Sequence, residues 1–411
     1  MAAVLVDFRG FRHNVPVSIF WNKRVSSLSP YVPGEQPRTE GLIKLNTNEN
    51  PYPPSPAVVE AIRSLVSGAD AGASLRLYPD PVCAAFREAV ALRYSVRPEQ
   101  VFPGNGSDEV LAFAFGAFFE NVPGLPAGEN PPPALLFPDI TYSFYPVYAG
   151  LWNLPFRTVP VGEDFSINPA DYCVPSAGTV LPNPNAPTGR ALPVGLSGES
   201  SGGLCSIVEY QLRHHRVVII DEAYAAFGAE SASSFIGRYP NLLTVHTLSK
   251  SASLAGLRVG FAIGSEELIE GLFRIRDSFN SYTMDRLALA GAAAAMADSS
   301  YYDEINKRVI ATRERTAAVL ASMGFEVIPS RANFLFIRWK DPGSSPVKNN
   351  GPLSGAALFR ALRERGILVR HFDKPRIAGY LRVSIGTDPE MDSFLEACEE
   401  ITGVKPGHAD Y

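Results

Sequence analysis

The residues best suited to chemistry in this chain are a lysine and an acid, each following an apolar, strand-like segment. Lys250 lies in the small-residue, polar segment 247–258, and Asp221 follows a run of valines and isoleucines and precedes Tyr224. A lysine amine can bond covalently to a carbonyl group, and a carboxylate can pair with a protonated ring nitrogen. Arg258, eight residues after Lys250, can hold a phosphate group.

This set of groups is what an enzyme that uses pyridoxal 5′-phosphate (PLP) needs. The amine would bind the cofactor, the carboxylate would pair with its pyridine nitrogen, and the arginine would hold its phosphate. Because a lysine taken alone is usually a solvated surface charge, the prediction depends on the groups around Lys250.

Three further motifs could contribute to a binding site. Segment 102–109 is a glycine-rich turn that opens a helix, where backbone N–H groups can bind an anion. Taken alone, it is explained more simply by Ser107 or Asp108 capping that helix. The proline-framed loop 182–189 and the aromatic segment 141–145 each follow a strand-like run, at the edge of an α/β sheet where ligands collect.

The alternation of strand-like and helical segments predicts an α/β fold with a mainly parallel sheet in a large domain. Apolar strand-like runs occupy 134–137, 179–181, 217–220, 242–246 and 259–263, and amphipathic segments such as 108–119 and 204–215 separate them. After about residue 283, a long helical stretch, 300–323, leads into strands at 333–337, 367–370 and 380–385. We therefore expect an N-terminal arm (1–50) that joins the small domain and the mouth of the site, a large domain (51–283) and a smaller α+β domain (284–411).

Composition excludes several classes of protein. The 411 residues include 46% hydrophobic and 19% charged residues, with a net charge of −5 and no long basic run, so we expect neither nucleic acid nor an anionic membrane as a partner. Residues 1–30 lack the apolar core of a signal peptide, and the apolar stretch 287–297 is too short to span a bilayer. The four cysteines form no metal-ligand spacing and no disulfide framework, which predicts no metal site and a reduced cytoplasm.

In their order along the chain, the motifs resemble the fold-type I PLP-dependent enzymes, most closely the histidinol-phosphate aminotransferases of the class I/II aminotransferase family. The resemblance runs from about residue 30 to about residue 399. The matching segments are KLNTNENP (44–51), YPD (78–80), NAPTG (185–189), DEAY (221–224), SK (249–250), LAGLR (254–258) and LRVS (381–384).

The resemblance implies roles for residues around the cofactor. Lys250 would bind PLP and move the proton at the substrate Cα, and Asp221 would keep the ring nitrogen protonated. Tyr224 and Asn185 would hydrogen-bond the ring oxygen, and Tyr142 would stack on the ring. The groups expected around the cofactor phosphate are Gly106, Ser107, Asp108, Thr247, Ser249 and Arg258.

One of these assignments is left open by the sequence. Many relatives read NNPTG where this chain has Ala186 before Pro187, so the amide facing the cofactor could belong to Asn185 or to Asn183.

Further roles concern the substrate and the partner subunit. Arg382 would bind the substrate α-carboxylate, and Arg370 would bind a substrate phosphate, although an exposed charge at a strand end explains Arg370 as well. Asn48, in the entry motif, and Tyr31 would border the substrate. Tyr78 would reach the phosphate from the other subunit, which predicts a homodimer with shared active sites.

The leading hypothesis is a transaminase that takes the amino group of histidinol phosphate and passes it to a 2-oxo acid such as 2-oxoglutarate. An aromatic or broad-specificity aminotransferase and a threonine-phosphate decarboxylase stay open as alternatives on the same fold, and a PLP-binding regulator is a distant one. We expect the Pro/Gly-rich inserts at 123–133, 195–203 and 341–351 to be surface loops.

Overall fold

The computed structural model describes residues 19–31, 35, 41–67, 72–120, 134–195, 202–340 and 353–407. The inserts 123–133 and 341–351, residues 196–201 of the third insert and residues 1–18 therefore lie outside the described residues. The strands are β1 (Ile43–Lys44), β2 (Val101–Gly104), β3 (Leu135–Pro138), β4 (Phe156–Val159), β5 (Gly178–Pro182), β6 (Val218–Asp221), β7 (Leu242–Thr247), β8 (Gly260–Ile263), β9 (Phe325–Ile328), β10 (Phe334–Trp339), β11 (Ile367–Leu368), β12 (Arg370–His371) and β13 (Leu381–Ser384).

Helices cover the large sheet and connect its strands. They are α1 (Lys23–Ser27), α2 (Pro56–Val66), α3 (Ala84–Tyr94), α4 (Gly106–Phe118), α5 (Tyr145–Trp152), α6 (Leu204–Arg213), α7 (Leu248–Ser251), α8 (Glu266–Phe279), α9 (Arg286–Ala297), α10 (Ser299–Ser322), α11 (Gly355–Glu364) and α12 (Asp388–Thr402). None of the helices in the described ranges has the length and apolar character that crossing a bilayer requires.

Within the described ranges, the large sheet has seven strands in the order β2-β8-β7-β6-β5-β3-β4. All neighbouring pairs are parallel except those of β8, which runs antiparallel to both β7 and β2. Every residue of β6 and β7 is buried, because one apolar core lies on each face of the sheet. The predicted α/β fold class with a mainly parallel sheet is confirmed.

A second, four-stranded antiparallel sheet has the order β12-β13-β10-β9. The predicted strand 367–370 is split in two. β11 pairs with β1 from the N-terminal arm, whereas β12 pairs with β13. The interruption at Val369 thus lets one short segment pair both with β1 of the N-terminal arm and with β13 of the small sheet.

The domain limits expected from the sequence stay a prediction, and the packing bears on them in two places. The arm contributes Leu45 to the core that contains the small sheet. Helix α9, in contrast, packs on α2 and α3, and its Ala288 and Ala292 belong to a core cluster of the large sheet. The packing of the large sheet therefore continues beyond residue 284.

Candidate active site

The candidate site lies at one edge of the seven-stranded sheet, where the parallel strands end. The register places Pro182 of β5 beside Asp221 of β6, and Asp221 beside Val245 of β7. The loop that carries Asn185 and the turn that carries Lys250 follow directly after these strand ends. Open α/β sheets bind their ligands at this edge because the loops after neighbouring strands meet there.

Lys250 lies in α7, a single helical turn capped by the side chain of Thr247. Its Nζ atom donates a hydrogen bond to the backbone oxygen of Thr47, at 2.8 Å, so the N-terminal arm reaches the amine. Burial, followed by the charge of Arg382, lowers the pKa of Lys250 to about 8. A usable fraction of the amine is therefore neutral and nucleophilic near neutral pH.

Asp221 is almost fully buried at the end of β6. Its Oδ2 atom accepts a hydrogen bond from the Tyr145 hydroxyl at 2.9 Å, and its Oδ1 atom accepts one from the backbone N–H of Ala223 at 3.2 Å. Burial raises the pKa of Asp221 to about 6 in spite of these two donors. Because both donors are neutral, a cation bound beside the carboxylate would stabilise its charged form.

Tyr224 and Asn48 form a direct contact between the large domain and the N-terminal arm. The Nδ2 atom of Asn48 donates to the Tyr224 hydroxyl oxygen at 2.9 Å. The phenolic proton of Tyr224 thus remains available to donate to another group. Burial raises the pKa of Tyr224, so the phenol keeps that proton.

The predicted phosphate-binding residues come together around Arg258. Its Nη1 atom donates to Ser249 Oγ at 3.3 Å, and its Nη2 atom donates to Asp108 Oδ2 at 3.0 Å. Gly106, with φ of +81° at the start of α4, lies so close that a Cβ there would overlap the guanidinium. An arginine against the N-terminal turn of a helix forms a favourable seat for an anion.

Two tyrosines fix the carboxylate of Asp108 on its other side. Tyr142 OH donates to Asp108 Oδ1 at 2.7 Å, and Tyr148 OH lies 3.3 Å from the same atom. From the sequence we expected Asp108 to bind the phosphate through its backbone N–H or to cap α4. The N-cap of α4 is Asn105, without a side-chain cap hydrogen bond, and the side chain of Asp108 instead connects Arg258 with the Tyr142 ring.

Two arginines stand side by side on the small sheet. Arg370 of β12 is directly opposite Arg382 of β13 in the antiparallel register, which puts both side chains on one face. Arg382 Nη2 donates to the backbone oxygen of Asn46 at 3.0 Å, while its buried Nε atom has no hydrogen-bond partner among the described residues. Burial lowers the pKa of Arg382, and the charge of Arg370 lowers it further. A bound anion would relieve this repulsion.

Two tyrosines that the sequence analysis assigned to the site, Tyr31 beside the substrate and Tyr78 at the phosphate of the other subunit, lie in different surroundings. The Tyr31 ring lies 4.3 Å from that of Phe144, whose ring is 5.5 Å from Tyr142, so Tyr31 joins the aromatic side of the site. Tyr78 is 77% exposed and stacks on Tyr282 with ring centroids 4.6 Å apart. Within one protomer, Tyr78 is a surface residue.

The two asparagines of the loop after β5 are distinguished by their contacts. The Asn183 side chain donates from Nδ2 to the backbone oxygen of Leu192 and accepts at Oδ1 from its backbone N–H. These two bonds stabilise the loop. Asn185 is fully buried, and its Nδ2 atom donates to Ile140 O at 2.9 Å and Thr188 Oγ1 at 3.2 Å. Its Oδ1 atom has no partner among the described residues, so an acceptor, not the expected donor, is left for a bound molecule.

These residues fit PLP. The buried lysine amine, the buried carboxylate and the arginine at a helix N-terminus match the aldehyde, ring nitrogen and phosphate of this cofactor. Asn185 Oδ1 is an acceptor and cannot bond the ring oxygen, so that contact is left to the phenol of Tyr224. No group of three or more metal-ligating side chains is found in the described part of the chain.

Comparison with known proteins identifies the family. The family model for aminotransferases of class I and II matches residues 40–398. The chain belongs to this family. The expected enzyme class is thereby confirmed.

Named relatives of this aminotransferase chain share about half of its residues. It is 50% identical over 390 residues to histidinol-phosphate aminotransferase 2 of Dechloromonas aromatica (strain RCB), which covers 94% of this chain and 100% of the relative. It is also 50% identical over 384 residues to the histidinol-phosphate aminotransferase of Clostridium acetobutylicum, covering 93% and 99%.

Solved structures support the fold. The histidinol-phosphate aminotransferase of Sinorhizobium meliloti in complex with pyridoxal-5′-phosphate has a TM-score of 0.74 at 23% identity, covering 94% of this chain and 98% of that one. A Thermus thermophilus aspartate aminotransferase mutant has a TM-score of 0.72 at 19% identity, covering 93% and 100%. At these identities the likeness concerns the fold.

Sequence reasoning missed several residues that the site uses. Tyr145 donates to the buried carboxylate of Asp221, Tyr148 donates to the partly exposed carboxylate of Asp108, and Thr47 accepts from Lys250 through its backbone. Asn333 donates from Nδ2 to the backbone oxygen of Asn48 at 3.0 Å. The spacing of the tyrosines after Pro138 was a usable signal, whereas backbone contacts such as that of Thr47 leave no trace in residue type.

Proposed function

We propose that the chain is a PLP-dependent aminotransferase of histidine biosynthesis. It transfers the amino group of histidinol phosphate to 2-oxoglutarate, giving imidazole-acetol phosphate and glutamate. The observation that supports this substrate most strongly is the Arg370–Arg382 pair, two cations on one face of the small sheet. The relatives at 50% identity that are named for this activity support it independently.

Charge explains how one pair of arginines serves both half-reactions. Histidinol phosphate has no carboxylate, so its phosphate is the anion available to Arg370 and Arg382. Glutamate offers carboxylates instead. A guanidinium binds either group through paired N–H donors, and the unpartnered Nε atom of Arg382 supplies one of them.

When bound, PLP accepts the electron pair left by proton removal at the substrate Cα and carries the amino group between the two half-reactions. Lys250 holds the cofactor and afterwards moves the proton at Cα through Nζ. Asp221 keeps the ring nitrogen protonated, and Tyr224 directs its phenolic proton, left available by Asn48, towards the bound group. Arg258 and the first turn of α4 hold the cofactor phosphate.

The phosphate assignment of Arg370 can be tested by substitution. We expect Arg370→Ala to lower kcat/KM for histidinol phosphate by about ten- to a hundredfold, the loss typical of a hydrogen bond to a charged group. Turnover of histidinol, which lacks the phosphate, should equal that of the parent. Arg360→Ala, at an exposed position of α11, is the matched control. Unchanged turnover of histidinol phosphate by Arg370→Ala would show that Arg370 does not bind the substrate phosphate.

We also propose a homodimer in which each active site receives Tyr78 from the other subunit. The surface around Tyr78 supports this, since Leu75, Leu77, Val82 and Tyr282 are exposed there as well. Exposed apolar side chains grouped in this way are characteristic of a surface that a partner covers.

Mixing two inactive variants tests the shared site. Lys250→Ala and Tyr78→Ala subunits would be unfolded and refolded separately and together. In a hybrid dimer one site carries both substitutions and the other carries neither, so the mixture should regain about a quarter of the parental activity. If the mixture is no more active than the two variants refolded separately, Tyr78 does not contribute to the active site of the other subunit.

We further propose that the protein works in the cytoplasm. All four cysteines are free, which suits a reducing compartment: Cys83, Cys173, Cys205 and Cys398. Fractionation of cells that produce the tagged full chain, with detection of the tag in each fraction, tests this location. Recovery of the tag outside the cytoplasmic fraction would contradict it.

A further inference from the structure

Among the described residues, Tyr145 is the side chain that donates a hydrogen bond to the buried carboxylate of Asp221. The two oxygens are 2.9 Å apart, and both side chains are buried. From the sequence, we expected of Tyr145 only that it belongs to an aromatic segment.

The ring of Tyr145 is held in one place by its neighbours. It begins α5, and it lies 5.8 Å from Phe137 in an edge-on contact and 6.2 Å from Phe115. The ring of Tyr142 closes another side, at 5.7 Å and nearly perpendicular. Because these contacts restrict the ring, the hydroxyl is kept beside Asp221 Oδ2.

The direction of the hydrogen bond follows from the chemistry of the two groups. Burial, reinforced by the charge of Asp221, raises the pKa of Tyr145 well above its ordinary value, so the phenol stays protonated. A protonated phenol facing a carboxylate oxygen donates its hydrogen, and the donated bond favours the charged carboxylate. Burial opposes this effect by raising the pKa of Asp221, with the backbone N–H of Ala223 as the second donor that limits the rise.

Other titratable groups are present around this pair. Tyr148 and Tyr224 lie near the Tyr145 phenol, and the charge of Asp108 acts on Asp221 from α4. Tyr142 and Tyr148 donate to Asp108, and Tyr224 accepts from Asn48. Tyr145 is therefore the tyrosine in this cluster that donates to Asp221.

We propose that Tyr145 is a positioning residue that keeps Asp221 ionised and so keeps the proton of the pair on the cofactor ring nitrogen. The inference rests on the proposed function, because it concerns PLP bound beside Asp221. In a buried pair the proton can lie on the nitrogen or on the carboxylate. The hydroxyl of Tyr145 makes the carboxylate less basic and so favours the protonated nitrogen.

The test uses the holoenzyme loaded with PLP labelled with ¹⁵N in the ring, because the ¹⁵N chemical shift reports whether that nitrogen carries a proton. In Tyr145→Phe we expect the resonance to move towards the unprotonated value. A hydrogen bond to a charged group corresponds to about one to two pKa units, so kcat should fall by about ten- to a hundredfold while the cofactor stays bound.

Tyr172→Phe is the matched control. Tyr172 is a buried tyrosine in another core cluster, and its hydroxyl has no hydrogen-bond partner among the described residues. This variant loses the same atom from the interior and should leave the ¹⁵N shift and kcat unchanged. An unchanged ¹⁵N shift in Tyr145→Phe would overturn the inference.

A second variant covers the case in which Tyr145→Phe does not fold or load. A fluorinated tyrosine at position 145 keeps the shape of the ring but is a stronger hydrogen-bond donor, so the pH at which the ring nitrogen loses its proton, followed by the ¹⁵N shift, should rise. A midpoint no higher than that of the parent would also overturn the inference. If the parent itself does not bind PLP, the proposed function fails, which is a different result from a parent and a variant that share one ¹⁵N shift.

Discussion

Asn48 donates a hydrogen bond from Nδ2 to the hydroxyl of Tyr224 at 2.9 Å and so joins the N-terminal arm to the end of β6. The same asparagine accepts at Oδ1 from Ser384 Oγ of β13 at 2.9 Å, and its backbone N–H donates to that hydroxyl at 2.8 Å. Its φ of +57° lies in the left-handed region, which asparagine tolerates better than most residues. One side chain therefore connects the arm, the small sheet and a residue beside the proposed cofactor.

Asn48→Ala should weaken both stability and catalysis. It removes the donor to Tyr224 and places alanine in a left-handed conformation, which together should cost about 1 to 3 kcal/mol in the free energy of unfolding. Without the donor, Tyr224 is free to turn away from the bound group, and kcat should fall. Ser384→Ala is the control, because it removes bonds to Asn48 but leaves the Asn48–Tyr224 contact. Equal kcat values for the two variants would show that this contact does not serve the reaction.

Lys250→Ala should abolish transamination while the protein remains folded. The amine holds the cofactor and moves the proton at Cα, and alanine can do neither. Lys307→Ala, at an exposed position of α10, is the control and should keep the parental rate. Steady-state rates measure the transamination activity of both variants, and circular dichroism shows whether both are folded. Transamination by purified Lys250→Ala above background would contradict the assignment.

Asp221→Asn should keep the cofactor and lose most of the rate. The amide cannot stabilise a positive ring nitrogen, and losing one preorganised electrostatic contact typically costs about 3 to 4 kcal/mol of activation free energy, or about 10² to 10³ in kcat. Cofactor content from absorbance and kcat from initial rates separate the two effects. A variant as fast as the parent would show that Asp221 is not the partner of the ring nitrogen.

The rate at which the apoenzyme attaches PLP should rise with pH through about 8 and then level off. Burial, and after it Arg382, lowers the pKa of Lys250 to about 8, and only the neutral amine attacks the aldehyde. Below this pKa the amine is protonated, so the rate falls as the pH falls. In Arg382→Gln the midpoint should move to higher pH because one cation is removed. A rate that keeps rising to about pH 10, as for a free lysine, would contradict the effect of burial.

Sequence reasoning located the strands that build the site because they are buried on both faces. The predicted run 217–220 and the observed strand β6 (Val218–Asp221) differ by one residue at each end. The functional side chains after the run therefore lie at the strand end, as expected. Strands β2 and β4 were not predicted. β2 contains Pro103 and Gly104, and β4 is an edge strand with three exposed residues in its four. Neither sequence therefore shows the apolar run or the alternation that marks a strand.

Side-chain partners were harder to predict than strand ends. Asp221 was identified from its position after the apolar run 217–220, but its donor, Tyr145, comes from a segment 76 residues away. Arg370 and Arg382 were each named, whereas the register that sets them opposite each other depends on how β12 pairs with β13. Such contacts between distant segments are decided by tertiary packing, which local patterns do not encode.

The absorption spectrum of the purified holoenzyme during titration with histidinol phosphate, without any amino acceptor, tests the role of Lys250 and the substrate together. We expect the visible band of lysine-bound PLP to disappear and the near-ultraviolet band of the aminated cofactor to grow in proportion. Adding 2-oxoglutarate should then restore the visible band. A visible band that histidinol phosphate leaves unchanged, but that another amino acid bleaches, would contradict the proposed substrate. A protein that shows no such band after incubation with PLP would contradict the role of Lys250 and the account as a whole.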